Sequence, residues 1–150
     1  MLNKNQKWSL AQATFLLAIL FLPFKISMHL PNVIRYLGIS FIIIGIGLAG
    51  YAVVSLKSNL KPSPRPRVGG SLITTGLYSI VRHPAYSGIV IAALGYSLWK
   101  NDAIRCVLTV ALLIFFDFKS KIEEKWLEKT YSEYRNYKKQ VAKKFIPWIY

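Results

Sequence analysis

Long runs of apolar residues, separated by short polar stretches, dominate the chain. Four runs stand out, and they cover residues 8–24, 36–56, 84–99 and 103–118. The second run contains no charged residue and is as long as the roughly 20 residues that a helix needs to cross the hydrocarbon core of a bilayer. The pattern therefore predicts an all-α, polytopic membrane protein with about four transmembrane helices.

The third and fourth runs are predicted to form a short helical hairpin. Only Lys100, Asn101 and Asp102 separate them, and each run would make a helix of about 24 Å. Small residues recur along the third run at three- to four-residue spacing, which lets a neighbouring helix or a ligand approach closely. Because a hairpin folds back, the residues just before 84 and just after 118 are expected to meet at one membrane face.

The tail from Lys119 onward is charged and has a helical pattern. Apolar and aromatic side chains recur at helical spacing with lysines between them, which predicts a C-terminal amphipathic helix at the membrane interface. Residues 148–150 would add an aromatic anchor at the same interface. The periodic positions are Trp126, Thr130, Tyr134, Tyr137, Val141 and Phe145.

Positive charge is distributed unevenly between the apolar runs. Of the 20 lysines and arginines, 16 fall before residue 8, at 57–82 or in the tail, and the net charge is +14. Since basic residues concentrate on the cytoplasmic side of membrane proteins, the distribution predicts a multi-pass integral membrane protein with both termini and the 57–83 loop cytoplasmic. Contact of the basic tail with anionic headgroups accounts for this charge, so no nucleic-acid partner is predicted. The first run is interpreted as a retained anchor, because no small-residue cleavage site follows it.

The chain gives little sign of redox or metal chemistry. Cys106 is the only cysteine, and it lies inside an apolar run. It cannot form an internal disulfide, so we interpret it as an inert thiol. No metal site is predicted.

Polar residues that could carry chemistry flank the predicted hairpin. Arg82 and His83 come just before it, and Glu123 and Glu124 follow it in the tail. The Arg82 guanidinium offers a planar fork of donors suited to a carboxylate or phosphate, and His83 can donate or accept a proton near neutral pH. Adjacent glutamates on a helix point about 100° apart, so one of them can face a site. Folding back of the hairpin would bring these groups into one site.

Two tyrosines could complete this site, although a simpler interpretation of the charges stays open. Tyr78 and Tyr86 supply flat faces for an aromatic ring or a cation. Alternatively, Arg82 is one more basic residue on the cytoplasmic side, and the glutamates pair with lysines along a solvated helix. The lysines available for such pairs are Lys119, Lys121 and Lys125.

Several of these segments together resemble the isoprenylcysteine carboxyl methyltransferase and phospholipid methyltransferase family. The resemblance covers about residues 58–150. It depends on the Arg-His-Pro-x-Tyr-x-Gly element that begins at Arg82 and on the Glu-Glu pair that begins at Glu123. Residues 72–81 and 145–147 and the tail tyrosines Tyr131, Tyr134 and Tyr137 add to it.

The resemblance implies an integral-membrane enzyme that uses S-adenosylmethionine. In the family the cofactor lies at the cytoplasmic face under the polar tail, and a lipid-like or prenylated substrate enters from the bilayer. We accordingly interpret residues 1–150 as one domain whose 119–150 tail covers the site, with a carboxylate or a lipid amine as the methyl acceptor. The oligomeric state is left open.

The resemblance also suggests roles for single residues. Arg82 and Glu123 are assigned as catalytic, and the cofactor-binding set includes a Gly-x-Gly element in the second run. That element also has the spelling of a dinucleotide fingerprint, but no strand precedes it, and helix packing explains its small residues better. The cofactor-binding residues are Tyr78, His83, Tyr86, Glu124, Gly45 and Gly47.

The chain departs from the family pattern in its tail, and two rival functions have weaker support in the sequence. Residues 131–137 are one residue shorter than the usual family pattern and lack its glycine. A reductase of the sterol-reductase type shares a related signature, but Ala85 replaces its asparagine and Ile89 stands where an acid often follows. A non-enzymatic scaffold or transport subunit would require charges aligned through the membrane, and only Arg105 lies within a predicted span.

Overall fold

The chain folds into α-helices. The structure, a computed structural model, describes residues 4–56 and 70–146, with side chains from residue 6. In this part of the chain there are five α-helices and one 3₁₀ turn at Gly76–Ser79, and pairing of β type is confined to an isolated bridge between Ser27 and Asp102. The predicted all-α fold is confirmed. The helices are α1 (Lys4–Phe21), α2 (Asn32–Leu56), α3 (Pro84–Lys100), α4 (Ala103–Thr130) and α5 (Tyr134–Gln140).

Helix α2 is the described helix that is long and apolar enough to cross a membrane by itself. Most of its large apolar side chains are exposed on the surface of the protein. Helices α1 and α3 are shorter, with 18 and 17 residues. The number of four transmembrane helices therefore stays a prediction. Residues 57–69 of the predicted loop and the aromatic anchor at 148–150 lie outside the described residues.

Helices α2 and α3 contact each other through their backbones. A Cβ atom added to Gly45 would lie 2.4 Å from the amide nitrogen of Ala92, and one added to Gly88 would lie 2.5 Å from that of Ala49. Gly38 and Gly95 form a second contact of the same kind. Only glycine allows this distance, because any side chain would overlap the backbone of the other helix. The small-residue stripe predicted for the third apolar run is thus part of a close helix–helix interface.

The turn between α3 and α4 is held by a buried charge pair. Asp102 caps α4 by accepting a hydrogen bond from the Ile104 amide at 3.0 Å, and it forms an ion pair with Arg105. Arg105 also donates to the carbonyl groups of Ile19 and Leu22 at 2.8 Å. Arg105 is buried within the fold, because these oxygen atoms at the end of α1 and Asp102 satisfy its donors.

The C-terminal tail differs from its prediction. Helix α4 continues without a break to Thr130, because residues 103–130 contain neither glycine nor proline, so Glu123 and Glu124 belong to the hairpin itself. The chain then leaves the helix, forms the short α5 and continues without helix through residues 141–146. The described tail therefore does not form one continuous amphipathic helix. It folds back because its apolar side chains are buried against α4 and the segment before α3, namely Tyr134, Tyr137 and Val141 against Leu72, Leu127 and Tyr131.

The glycine contacts predict opposite effects for two similar substitutions. Replacing Gly45 by Ala is expected to destabilise the protein by about 1–3 kcal/mol, since the new methyl group overlaps the backbone of α3. Replacing Gly47 by Ala adds a methyl group with no atom within 4 Å, and should be neutral or stabilise the helix by up to about 1 kcal/mol. Thermal unfolding in detergent micelles measures both. Equal unfolding midpoints for the two variants would contradict the close packing of α2 against α3.

Candidate active site

The tail lies directly on the segment that precedes α3. The backbone amides of Arg82 and His83 donate to the carbonyl groups of Lys143 and Lys144, at 3.0 and 2.9 Å. The Ser87 hydroxyl donates to the Phe145 carbonyl at 2.7 Å. Farther along the same contact, the hydroxyl of Tyr137 donates to the carbonyl of Tyr78 at 2.6 Å. Backbone hydrogen bonds thus fix the tail over the Arg-His segment at several points.

Arg82 joins α4 to the tail. Its Nε donates to Oε1 of Glu124 at 2.9 Å, and its Nη1 donates to the carbonyl groups of Val141 and Ala142 at 2.7 and 2.6 Å. Both Arg82 and Glu124 are buried. The guanidinium therefore uses much of its donor capacity inside the protein, where it positions other groups.

The imidazole of His83 lies between the two carboxylates. Its Nε2 is 3.2 Å from Oε1 of Glu124, and its Nδ1 is 3.6 Å from Oε2 of Glu123. Tyr86 donates its hydroxyl proton to Oε1 of Glu123 at 2.5 Å, and its ring stacks on Phe116 with 4.3 Å between ring centres. The hairpin thus brings Arg82, His83, Tyr86, Glu123 and Glu124 into one cluster.

The two carboxylates of this cluster have different surroundings. Burial acts to raise the pKa of Glu124, but hydrogen bonds from His83 and Arg82 outweigh it and hold that pKa well below its usual range. Lys138 also contacts Glu124, at 3.0 Å. Glu123 has no lysine or arginine nitrogen within 4.0 Å among the described residues, and its side chain is 18% exposed. Arg82 and Lys138 balance the charge of Glu124, whereas the partly exposed side chain of Glu123 has no lysine or arginine partner among the described residues.

Tyr78 lies in a cavity next to Arg82. Its hydroxyl donates to the Ala52 carbonyl at 3.3 Å, and burial, with the nearby charge of Glu123, raises its pKa to about 12. It lines a cavity of about 110 Å³ together with Arg82 and Tyr134, whose hydroxyl is buried and has no hydrogen-bond partner in the described part of the chain. At neutral pH the Tyr78 phenol is therefore a neutral group that can pack or donate.

The Gly-x-Gly element lies on α2, where it faces α3. A Cβ atom added to Gly45 would meet Gly88 and Ala92 of α3, and one added to Gly47 would lie in open space. Helix packing accounts for the contacts of Gly45. Cofactor binding by Gly45 and Gly47 stays a prediction.

The sequence did not predict that Lys119 and Tyr134 are buried near the cluster. Lys119 is 3% exposed and belongs to the same helix as the glutamates, and Tyr134 is 1% exposed. The i to i+4 spacing of Lys119 and Glu123 on α4 was the available signal for the first. Among the described residues, no group of three or more histidine, cysteine, aspartate or glutamate side chains could hold a metal ion.

These observations define a class of protein. The described fold is all-α, and one helix has the length and composition of a transmembrane helix. A buried polar cluster lies where the segment before α3 meets the C-terminal part of α4. This is the arrangement of an integral membrane protein with a polar site at one end of its helices.

Comparison with known sequences identifies the family. The sequence profile of the phospholipid methyltransferases matches residues 33–134, and the chain belongs to this family. A probable protein-S-isoprenylcysteine O-methyltransferase of Oryza sativa subsp. indica is 31% identical over 112 residues, which are 72% of this chain and 59% of the relative. The protein-S-isoprenylcysteine O-methyltransferase of Saccharomyces cerevisiae is 38% identical over 73 residues, which are 47% of this chain and 30% of the relative. The resemblance seen in the sequence is thereby confirmed, and the chain spans about three fifths or less of these relatives.

A solved structure has the same fold. The eukaryotic intramembrane Ras methyltransferase, an isoprenylcysteine carboxyl methyltransferase, matches 99% of this chain with a TM-score of 0.72 and 24% sequence identity. This chain covers 55% of that protein. The likeness supports a shared helical architecture.

The position of Glu124 predicts a large loss of stability when its charge is removed. Replacing Glu124 by Gln should lower the free energy of unfolding at pH 7 by about 3–5 kcal/mol, because Arg82 is left buried without its carboxylate. Glu128→Gln is the control, since its partly exposed pair with Lys138 should contribute about 1 kcal/mol or less. Denaturant unfolding in micelles measures both, and equal losses would contradict the structural role of Glu124.

The same carboxylate predicts an acid dependence. Since the folded-state pKa of Glu124 is depressed, its stabilising contribution is complete above the unfolded-state pKa and is lost as the pH falls towards the folded-state pKa. The wild type should therefore lose stability below about pH 4, and Glu124→Gln should lose less over the same range. Unfolding midpoints measured between pH 7 and pH 3 test this difference.

Proposed function

We propose that this protein is an S-adenosylmethionine-dependent methyltransferase that acts at the cytoplasmic membrane face on a hydrophobic or lipid-linked acceptor. The acceptor would carry a carboxylate, as in an isoprenylated cysteine, or a lipid amine. The observation that carries this proposal is the cluster of Arg82, His83, Tyr86, Glu123 and Glu124, which holds the family's motif residues together around an accessible carboxylate. Family membership and the names of the relatives support it. Neither a nicotinamide reductase nor a non-enzymatic scaffold has comparable support.

The charges of the cluster suit a cationic cofactor. S-adenosylmethionine carries a sulfonium, an ammonium and ribose hydroxyls. Glu123 accepts from Tyr86 but has no lysine or arginine partner among the described residues, so its carboxylate can also accept from such groups. Glu124 already contacts Arg82 and Lys138. The rings of His83 and Tyr86 stack almost parallel, with 5.6 Å between their centres, and offer an aromatic wall beside this charge.

The chemistry requires positioning more than acid–base catalysis. When bound, the cofactor supplies the methyl group, and its transfer needs an aligned nucleophile in a site that excludes water. A carboxylate acceptor needs no proton removed, whereas an amine acceptor does, and His83 or Glu123 would then accept the proton. Arg82 acts as a positioning residue in this proposal, because it orients Glu124 and secures the tail.

A charge-removing substitution tests the proposed cofactor site. Glu123→Gln should weaken S-adenosylmethionine binding by roughly ten- to hundredfold, the range expected for one hydrogen bond to a charged group. Calorimetry on the full chain in detergent measures the affinity, with Glu128→Gln as a matched control on the same helix. An assay that measures transfer of a labelled methyl group to an S-prenylated cysteine derivative and to phosphatidylethanolamine identifies the acceptor. Unchanged cofactor affinity in Glu123→Gln would exclude this site.

The topology is a second part of the proposal. We propose four membrane spans, formed by α1, α2, α3 and residues 103–118 of α4, with both termini in the cytoplasm. The distribution of basic residues supports this topology. Lysines lie at the start of α1 and at the end of α4, and basic residues concentrate on the cytoplasmic side of membrane proteins. The loops of the opposite end meet around the Asp102–Arg105 pair.

Cysteine labelling tests the topology. In a Cys106→Ala background, Lys100→Cys should react with a membrane-impermeant maleimide in intact cells, and Lys125→Cys should react only after the membrane is permeabilised. Both side chains are exposed in the structure, so accessibility within the protein does not limit either reaction. Labelling of both cysteines from the same side would contradict the proposed topology.

A further inference from the structure

Among the described residues, one buried cation beside the candidate site has no carboxylate oxygen within ion-pair distance. Lys119 lies on α4, one helical turn before Glu123, and is 3% exposed. Its Nζ donates to Oε1 of Gln12 on α1 at 2.5 Å, and it lies 5.2 Å from the centre of the Tyr86 ring. Within the described ranges, 4–56 and 70–146, no carboxylate oxygen comes within 4.0 Å of this nitrogen.

The carboxylates nearest in sequence to Lys119 make their close contacts with other groups. Asp117 binds Lys121 and Lys144 at 2.6 and 2.7 Å. Glu124 binds Arg82 and Lys138. Glu123 accepts from Tyr86 and faces His83. Lys119 is therefore left with a neutral amide oxygen and an aromatic face.

A buried ammonium without a partner is costly. Charged side chains are almost never fully buried unless they are paired, because desolvation removes several kcal/mol of hydration per ion. Burial accordingly lowers the pKa of Lys119, an effect that the negative charge of Glu123 partly opposes. The cost of burying Lys119 therefore points to a functional role for its charge.

Tyr86 contacts both this cation and an anion of the site. Lys119 lies over its ring, and Glu123 accepts from its hydroxyl. The ring and the hydroxyl of one residue thus contact opposite charges. That arrangement suits a bound pair of opposite charges, with a cation near Glu123 and an anion near Lys119.

We propose that Lys119 is an anion-binding residue of the site, which takes the carboxylate of a ligand. The inference rests on the proposed methyltransferase function. The carboxylate has two possible sources, which are the acceptor and the methionine part of the cofactor. If the ligand at Lys119 is the methyl acceptor, the acceptor carries a carboxylate, because the charge of Lys119 would repel a protonated amine.

Binding measurements on Lys119 variants test the inference. Lys119→Gln should weaken the carboxylate ligand by roughly ten- to hundredfold, and Lys119→Arg should restore much of the affinity because it keeps the charge. The probes are an S-prenylated cysteine derivative, its carboxamide, S-adenosylmethionine and an analogue of this cofactor that lacks the carboxylate. Lys125→Gln removes the same charge from an exposed position of the same helix and serves as the control.

The pattern of losses distinguishes the two sources. Weaker binding of the prenylated carboxylate but not of its carboxamide supports the acceptor as the source. Weaker binding of S-adenosylmethionine but not of its decarboxylated analogue supports the cofactor. Unchanged affinity for all four probes in Lys119→Gln overturns the inference, and the proposed function survives if the wild type still binds S-adenosylmethionine.

A stability measurement separates this role from a structural one. Lys119→Met removes the buried charge and keeps much of the side-chain volume, so the unfolding midpoint without ligand should stay the same or rise. A midpoint that falls while ligand affinities stay unchanged would make Lys119 a structural residue and contradict the inference. If the wild type binds no S-adenosylmethionine at all, the proposed function fails, and this inference fails with it.

Discussion

The arrangement of the site depends on one buried carboxylate. Glu124 accepts from Arg82 of the segment before α3 and from Lys138 of α5, and it contacts the imidazole of His83. A single side chain of α4 therefore connects three parts of the chain. Because these partners surround it, Glu124 stays ionised although it is buried, and its charge gives the tail a fixed position. Removing this group would leave Arg82 as a buried cation without its carboxylate, and loss of one partner of a buried ion pair strongly destabilises a protein.

Close packing of α2 against α3 provides a rigid support for this arrangement. At Gly45 and Gly88 the two backbones lie so near that no side chain fits between them. Helix α3 begins at Pro84, immediately after Arg82 and His83, so the position of α3 fixes the backbone position of these two residues. The stacking of Tyr86 on Phe116 then connects α3 to α4 near the glutamates. The polar cluster is thereby built on helices, which hold side chains more precisely than loops do.

The main features of the site could be predicted from the sequence, but not its internal contacts. A hairpin with polar residues at both ends implies that Arg82 and the Glu123–Glu124 pair meet, and the structure brings them together. The different contacts of the two glutamates could not be deduced, because they depend on which glutamate faces Arg82 and Lys138. The end of α4 was misplaced at residue 118, since the change from apolar to charged residues was interpreted as a helix boundary, whereas the absence of glycine and proline lets the helix continue to Thr130. The burial of Lys119 could not be foreseen either, because its partner Gln12 lies on the first helix.

By itself, the sequence determined the all-α class, the transmembrane-length second helix, the family and the set of residues that carry the family's motifs. These follow from local properties, namely the length of apolar runs, the spacing of small residues and short motifs. The tertiary structure alone decided that the tail folds back on the Arg-His segment and that Arg82 donates to Glu124 and to the tail. It also decided that, among the described residues, Lys119 is buried with no carboxylate oxygen within 4.0 Å and Glu123 has no lysine or arginine nitrogen within that distance. The physical reason is that burial and ion pairing depend on residues far apart in the chain, so the environment of a charge is set only when the helices pack.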